Sequence, residues 1–145
     1  MIANGIILIR PYQHPKDESA VIELWEKCGL VVSWNDPQKD IERKLKVNPE
    51  LFSIGEIEGK IVASAMGGYE GHRGWVNYLA VAPEFQGQGL GRQMMEELEF
   101  KLKDLGCPKI NLQVRNSNLD AIRFYESIGY KMDEVVSMGK RLMED

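Results

Sequence analysis

The chain has 145 residues, 43% hydrophobic and 28% charged, with a formal net charge of −4. That length suffices for one domain with its own core, without metals or disulfides, and the composition is that of a folded globular protein rather than a disordered or fibrous one. The acidic balance leans away from nucleic acid and towards a cationic partner.

In chain order, Ile6 to Arg10 is a short apolar run closed by Pro11 and predicts the first strand. Asp17 stands where a helix cap is wanted, and Ala20, Val21, Leu24, Trp25 and Cys28 recur on one helical face that ends at Gly29. Trp34-Asn35-Asp36-Pro37 gives a second start signal, with Asp36 as cap and Pro37 as first helical residue. Ile41, Leu45 and Val47 are expected to face inward along this helix, which must stop before Pro49. Trp34 reads either as a core or lid residue or as an aromatic wall of a binding pocket. From Leu51 the pattern turns to β, with strands at 51–57 and 60–66 joined by a hairpin turn at Glu58-Gly59. Residues 67–74, Gly-Gly-Tyr-Glu-Gly-His-Arg-Gly, predict a glycine-rich connection, either a solvated loop or a functional one carrying Glu70, His72 and Arg73. His72 has no second His or Cys at ligand spacing, so no metal is expected.

The next stretch organises the remainder. Val76, Tyr78, Leu79 and Val81 read as a buried strand ending at Pro83, and Leu90, Met94, Leu98 and Leu102 repeat at helical spacing up to Gly106, with Pro108 beyond. Between them lies Gln86-Gly87-Gln88-Gly89-Leu90-Gly91, a strand-to-helix turn whose free N–H groups and positive helix end suit a phosphorylated ligand. A Walker loop needs Lys and then Ser or Thr after its last glycine, where Arg92 and Gln93 stand. A dinucleotide fingerprint needs glycine where Arg92 stands, and an acidic residue after the next strand, where Arg115 and Asn116 stand. The acyl-coenzyme A loop, Gln/Arg-x-x-Gly-x-Gly/Ala, is matched by Gln86, Gly89 and Gly91, with a plain tight turn as the other reading.

Further on, residues 109–114 alternate Ile110, Leu112 and Val114 and predict a fifth strand. Asn116-Ser117-Asn118 is a turn and cap cluster before a helix over 119–128 closed by Gly129, and 131–142 reads as a last strand. Ala121, Tyr125 and Ile128 share a face, which aims Tyr125 inward, as core packing or with a hydroxyl in need of a partner. Cys28 and Cys107 have no CxxC or Cys/His spacing and read as buried, reduced thiols. No apolar run approaches transmembrane length, and no basic segment followed by a long apolar one opens the chain, so a cytoplasmic location is expected.

The run Asn118-Leu119-Asp120-Ala121-Ile122-Arg123-Phe124-Tyr125-Glu126-Ser127-Ile128-Gly129-Tyr130 resembles the N-x-x-A-x-x-[FL]-Y-x-x-x-G-[FY] pattern of the GNAT N-acetyltransferase family. Leu79-Ala80-Val81-Ala82-Pro83-Glu84-Phe85 resembles the strand that leads into that family's acyl-CoA loop. The resemblance runs from Ile6 through Leu142 and is nearest in motif to small bacterial single-domain members resembling ribosomal-protein N-terminal alanine acetyltransferases. It implies one domain over 1–145 with an α/β (α+β) fold. The sheet would be mixed and mostly antiparallel, with helices on both faces, in the order β-α-α-β-β-β-α-β-α-β. It implies acetyl transfer from acetyl-CoA to a primary amine of a small molecule, peptide or protein, without a metal, nucleic acid or membrane, by a monomer or homodimer.

Residue by residue, the resemblance places Leu79, Ala80 and Val81 beside the pantetheine, with Asn118 holding it. It places Gln86, Gly87, Gln88, Gly89, Leu90, Gly91 and Arg92 around the pyrophosphate, and Tyr125 at the cofactor sulfur as acid for the leaving thiolate. Enzymes of this family that acetylate ribosomal-protein N-termini carry a glutamate base on the fifth strand, where Gln113 stands here. The base is therefore sought in Glu70, with Trp34, His72 and Arg73 on the acceptor side. A reading of another class is a non-catalytic acyl-CoA-binding regulatory or interaction module of the same fold, against which the presence of Asn118 and Tyr125 argues.

Overall fold

Alternation along the longest strand decides where everything else packs. In the computed structural model, which describes residues 6–145, this is β3 (Lys60–Tyr69), flanked by β1 (Leu8–Pro11), β2 (Phe52–Ile57), β4 (Gly74–Val81) and β5 (Ile110–Asn111) in one sheet of order β1-β2-β3-β4-β5. Residues 1–5 of the expected domain lie outside the described residues. The first three pairings are antiparallel and β4–β5 is parallel, so a crossover must join the last two. That crossover is α3 (Leu90–Asp104), and α1 (Glu18–Lys27), α2 (Pro37–Lys44) and α4 (Leu119–Ser127) complete the mixed α/β architecture.

Val62 and Met66 point to the face covered by α1 and α2, where they meet Trp25, Ile41 and Phe52. Ala63 and Ala65 point to the opposite face, against Met94, Met95, Leu98 and Leu102 of α3. The small residues on that face let α3 come close: a Cβ on Gly67 would lie 2.3 Å from Leu98 Cδ1. Gly67 is therefore a strand residue that admits a helix, and the expected loop over 67–74 shrinks to Glu70–Arg73. The Glu58-Gly59 turn forms as expected, both residues having positive φ (51° and 79°). Asp36 caps α2 by accepting from the N–H groups of Gln38 and Lys39, ahead of Pro37. No described helix is long and apolar enough to cross a membrane.

Several expectations are corrected. Val47 lies beyond α2 and is 59% exposed, because α2 ends at Lys44 and turns its inward face no further, while Leu45 does pack, half-buried, against the core; Ala20, on α1, is exposed. Both cysteines are half-buried free thiols rather than fully buried ones. The strand at 109–114 pairs only over Ile110–Asn111, and 131–142 forms no strand. Asp133-Glu134 and Gly139-Lys140-Arg141 interrupt the apolar positions of that tail, and its end crosses to α2 instead, where Asp145 accepts from Arg43 at 2.7 Å.

Asp17 occupies the position before α1, but its carboxylate makes no capping bond. It is 2% exposed and accepts from Arg10 at 2.7 and 3.0 Å and from the Gln13 N–H at 2.8 Å, while Arg10 also donates to Glu56 on β2. Burial alone would push its pKa up; the Arg10 and Gln13 bonds outweigh that and hold it below the usual carboxylate value. The stabilisation is thus complete above the unfolded carboxylate pKa, about 3.9, and is lost as pH falls through the depressed folded value. Asp17→Asn should lower unfolding free energy by on the order of 3 kcal/mol at neutral pH. In urea titrations the gap between native and variant should narrow on the acid side; a gap independent of pH would contradict the linkage.

Candidate active site

The sheet opens beside β4. Its parallel pairing with β5 covers only Gly74–Ile110 and Trp75–Asn111, and no described residue continues the ladder along that edge. On the other edge the register with β3 slips between Ala80, opposite Ser64, and Asn77, opposite Met66, so that Tyr78 and Leu79 together face Ala65. This is a β-bulge, which bends the strand and adds twist. Tyr78 sits on it at φ 53°, a left-handed conformation that a bulky residue holds only when its surroundings enforce it. The enforcement is visible. The Ser64 hydroxyl donates to the Tyr78 carbonyl at 2.7 Å and accepts from Trp25 Nε1–H at 2.9 Å, and the Tyr78 ring stacks on Trp25 with centroids 3.8 Å apart. The Tyr78 hydroxyl donates to Asp40 Oδ2 on α2 at 2.6 Å, and burial with this bond to a carboxylate pushes its pKa up.

The alternation past the bulge separates the expected contacts of β4. Ala82 N–H donates to Val62 of β3, so Ala80, two residues earlier, also turns its backbone towards β3, and its side chain is buried. Ala80 therefore does not face the open edge, which is left to Leu79 and Val81. The Val81 carbonyl accepts from Gln86 Nε2 at 2.9 Å and from the Cys28 thiol at 3.3 Å. Both its lone pairs are taken, leaving its N–H as the free group.

At the end of β4 the glycine turn leads into α3. Gly87 and Gly89 have φ of 79° and 82°, with open space where a side chain would go, and Gly89 is the helix cap residue without a capping side chain. Among the described residues, no group accepts the backbone N–H of residues 87–92, which point from the loop and the first helical turn. Anion binding suits such an array. The side chains divide differently. Leu90 is buried in the core and contributes only backbone, and a Cβ on Gly91 would meet the Phe124 ring at 3.1 Å. Gly91 thus serves the close packing of α4 on α3. Arg92 donates to the Ser127 carbonyl at the end of α4, at 3.5 Å, and Gln88 is half-buried.

α4 brings two more residues to the same region. Asn118 Oδ1 accepts from Ala121 N–H at 3.2 Å, which caps the helix and leaves the side-chain amide hydrogens free. Tyr125 packs against the cluster that includes Leu79 and Val81, edge-on to Phe124 and Tyr130 at 5.1 and 5.7 Å. No described residue bonds its hydroxyl. Burial pushes its pKa to about 12, so it is a protonated donor at neutral pH.

Other expected residues are not brought there. Glu70, His72 and Arg73 form the turn before β4, at the end where β4 and β5 are still paired. The Glu70 carboxylate accepts from the N–H groups of His72 and Arg73, which hold its pKa below the usual range and engage it within its own turn. Trp34 is 48% exposed, with the Arg115 guanidinium 5.2 Å from its ring centroid. Nearby, Asn35, Arg43 and the tail around Asp145 line an open surface depression of about 610 Å³. Gln113 is exposed beside Ser137. Asp40 and the Tyr78 hydroxyl were not legible as a pair, since they lie 38 residues apart and Asp40 looks like any solvated helix carboxylate.

The sequence pattern of the Acetyltransferase (GNAT) family matches residues 15–130. An acetyltransferase of Sodalis glossinidius is 50% identical over 138 residues, covering 94% of this chain and 96% of its own. The crystal structure of the ribosomal-protein-S18-alanine N-acetyltransferase from Escherichia coli superposes with a TM-score of 0.70 at 26% identity, covering 86% of this chain and 77% of that one. An aminoglycoside N-acetyltransferase in complex with CoA shares the fold, with a TM-score of 0.75 at 15% identity over 97% of both chains.

Proposed function

The chain belongs to the acetyltransferase (GNAT) family, and on that premise we propose that the opening of the sheet beside β4 is where its two substrates meet. The protein transfers an acetyl group from acetyl-CoA to an amine. The observation that carries the placement is the coincidence of an unpaired β4 edge with the uncommitted N–H groups of residues 87–92. Those N–H groups fit a pyrophosphate; the Leu79 and Val81 edge and the free amide hydrogens of Asn118 fit the amides of a pantetheine arm. The amine nitrogen attacks the thioester carbonyl carbon while both substrates are bound. The bulged backbone of β4 offers N–H groups to the developing oxyanion. As the C–S bond breaks, the Tyr125 hydroxyl donates to the departing sulfur. Holding both reactants in one groove supplies much of the rate.

The acceptor is a primary amine on a small molecule, peptide or protein. Likeness to the S18-alanine enzyme favours a protein N-terminus, but Gln113 has no proton-accepting group to offer such chemistry. We further propose that the chain works as a single domain, monomeric or homodimeric, in the cytoplasm. Acetyl-CoA with a panel of amines tests the function directly. Free thiol should be released in step with acetylated amine. Tight acetyl-CoA binding without amine-dependent thiol release across the panel would return the protein to a regulatory binding module.

A further inference from the structure

We propose that Tyr78 and Asp40 form the acceptor-side proton relay, Tyr78 taking the proton of the attacking amine as its own passes to Asp40; this rests on the acetyltransferase reading above. Three observations converge on the pair. Tyr78 lies on the bulge, on the stretch of β4 that has lost its β5 partner. Its left-handed backbone is imposed by the Trp25–Ser64 bonds and the ring stack, which together hold the hydroxyl at one point in space. That point is 2.6 Å from Asp40 Oδ2, on a side chain still 23% exposed and thus reachable by a solute. Backbone strain of this kind costs about 1–3 kcal/mol and persists where the surroundings over-determine it, commonly at functional sites.

The electrostatics suit an ammonium. Asp36, at the α2 cap, and Asp145, from the tail, add negative charge around Tyr78. Against these and Asp40 stand Arg43, which donates to Asp40 at 3.3 Å and to Asp145 at 2.7 Å, and Lys39, which faces Asp145. Arg43 also lines the open surface depression bounded by Asn35 and the tail, over which the body of an acceptor could lie. The step balances. The bound ammonium gives one proton to Tyr78 Oη as the Tyr78 proton passes to Asp40. The free amine then forms the nitrogen–carbon bond, the C–S bond breaks, and the second nitrogen-bound proton passes to the departing sulfur, which Tyr125 serves from the opposite face of the sheet. Asp40 then returns its proton to solvent.

The competing role is mechanical, in which the Tyr78–Asp40 bond only pins α2 to the bulge. Tyr78→Phe keeps the stack on Trp25 and removes one hydroxyl, and Asp40→Asn keeps an acceptor oxygen and removes the charge. Calorimetry with acetyl-CoA and a pH series of kcat/KM with the best amine separate the roles. The relay predicts acetyl-CoA Kd within about twofold of native and kcat/KM lower by roughly 10²-fold in each variant. The double variant should be no worse than the weaker single one, because the two act as a unit. The deficit should shrink as pH rises through the pKa of the acceptor, where the free amine no longer needs a base. Folded single variants with near-native turnover, or deficits that add and stay constant with pH, would overturn it. Should Asp40→Asn fail to fold, Tyr78→Phe alone decides. A native protein that acetylates no amine would instead count against the acetyltransferase reading.

Discussion

Tyr125→Phe should lower turnover by roughly 10²-fold, at the small end of what positioned proton donors contribute, and leave acetyl-CoA affinity nearly unchanged. The magnitude follows from the environment of the hydroxyl. Burial holds its pKa at about 12, whereas an ordinary thiol has a pKa of about 8.5. Full proton transfer to a solvated thiolate would be uphill by several units. The same desolvation would raise a cofactor thiol seated against Tyr125, which would narrow the gap, and hydrogen-bond donation to the developing negative sulfur would supply the rest. The side chain packs edge-on between Phe124 and Tyr130, so removing the hydroxyl leaves that packing intact. A raised pKa also has a sign. Tyr125 stays protonated across the working range, so any loss of turnover that it causes belongs near pH 12 and not near neutrality. Stopped assays of thiol release from pH 6 to 10 check the size of the loss and that no Tyr125-dependent limb falls within that range. A Tyr125→Phe protein with native turnover would leave this residue as packing.

Gly89→Val should weaken acetyl-CoA binding by roughly 10²–10³-fold. The fold has room for the side chain, since nothing lies within 4 Å of where its Cβ would be. The conformation has not: at φ 82° a β-branched residue is strained, and the loop must turn away from its present course. Each charge-assisted bond from an aligned N–H is worth about 1.5–3 kcal/mol, so losing two of them at the lower end, about 3–4 kcal/mol together, accounts for the expected range. Gly91→Ala is the contrasting substitution. Its methyl group meets Phe124 at 3.1 Å and should loosen α4 and lower the melting temperature, with a smaller effect on the pyrophosphate contacts. Calorimetry on folded protein separates the two. Unchanged acetyl-CoA affinity in Gly89→Val would remove the glycine turn from the site.

What could be read from the sequence alone was local. The Asp36-Pro37 start, the Glu58-Gly59 turn, the Gln86–Gly91 turn between strand and helix, and the Asn118 cap depend on φ preference and on side chains bonding N–H groups two or three residues away. The helical faces of α1 and α3 followed from spacing, and their main apolar residues are buried. Those signals sufficed for the order of elements as far as α4 and for the glycine turn of the candidate site. The rest depended on register and on distant partners. Gly67 and Gly74 looked like loop glycines, yet they sit in strands beneath Leu98 and Cys107, because closeness between a helix and a sheet leaves no local mark. Glu70 looked well placed in chain position, but a turn that supplies two N–H groups to its carboxylate holds it at the paired end of β4. Asp17 carried a helix-cap signature and was recruited instead by Arg10, a charge from the neighbouring strand. The bulge at Tyr78 arises from a one-residue slip against β3, and Asp40 reaches it only because α1 and α2 pack on that face. A slip of that kind changes which groups face the open edge without changing a single local preference, so only the tertiary structure decides it.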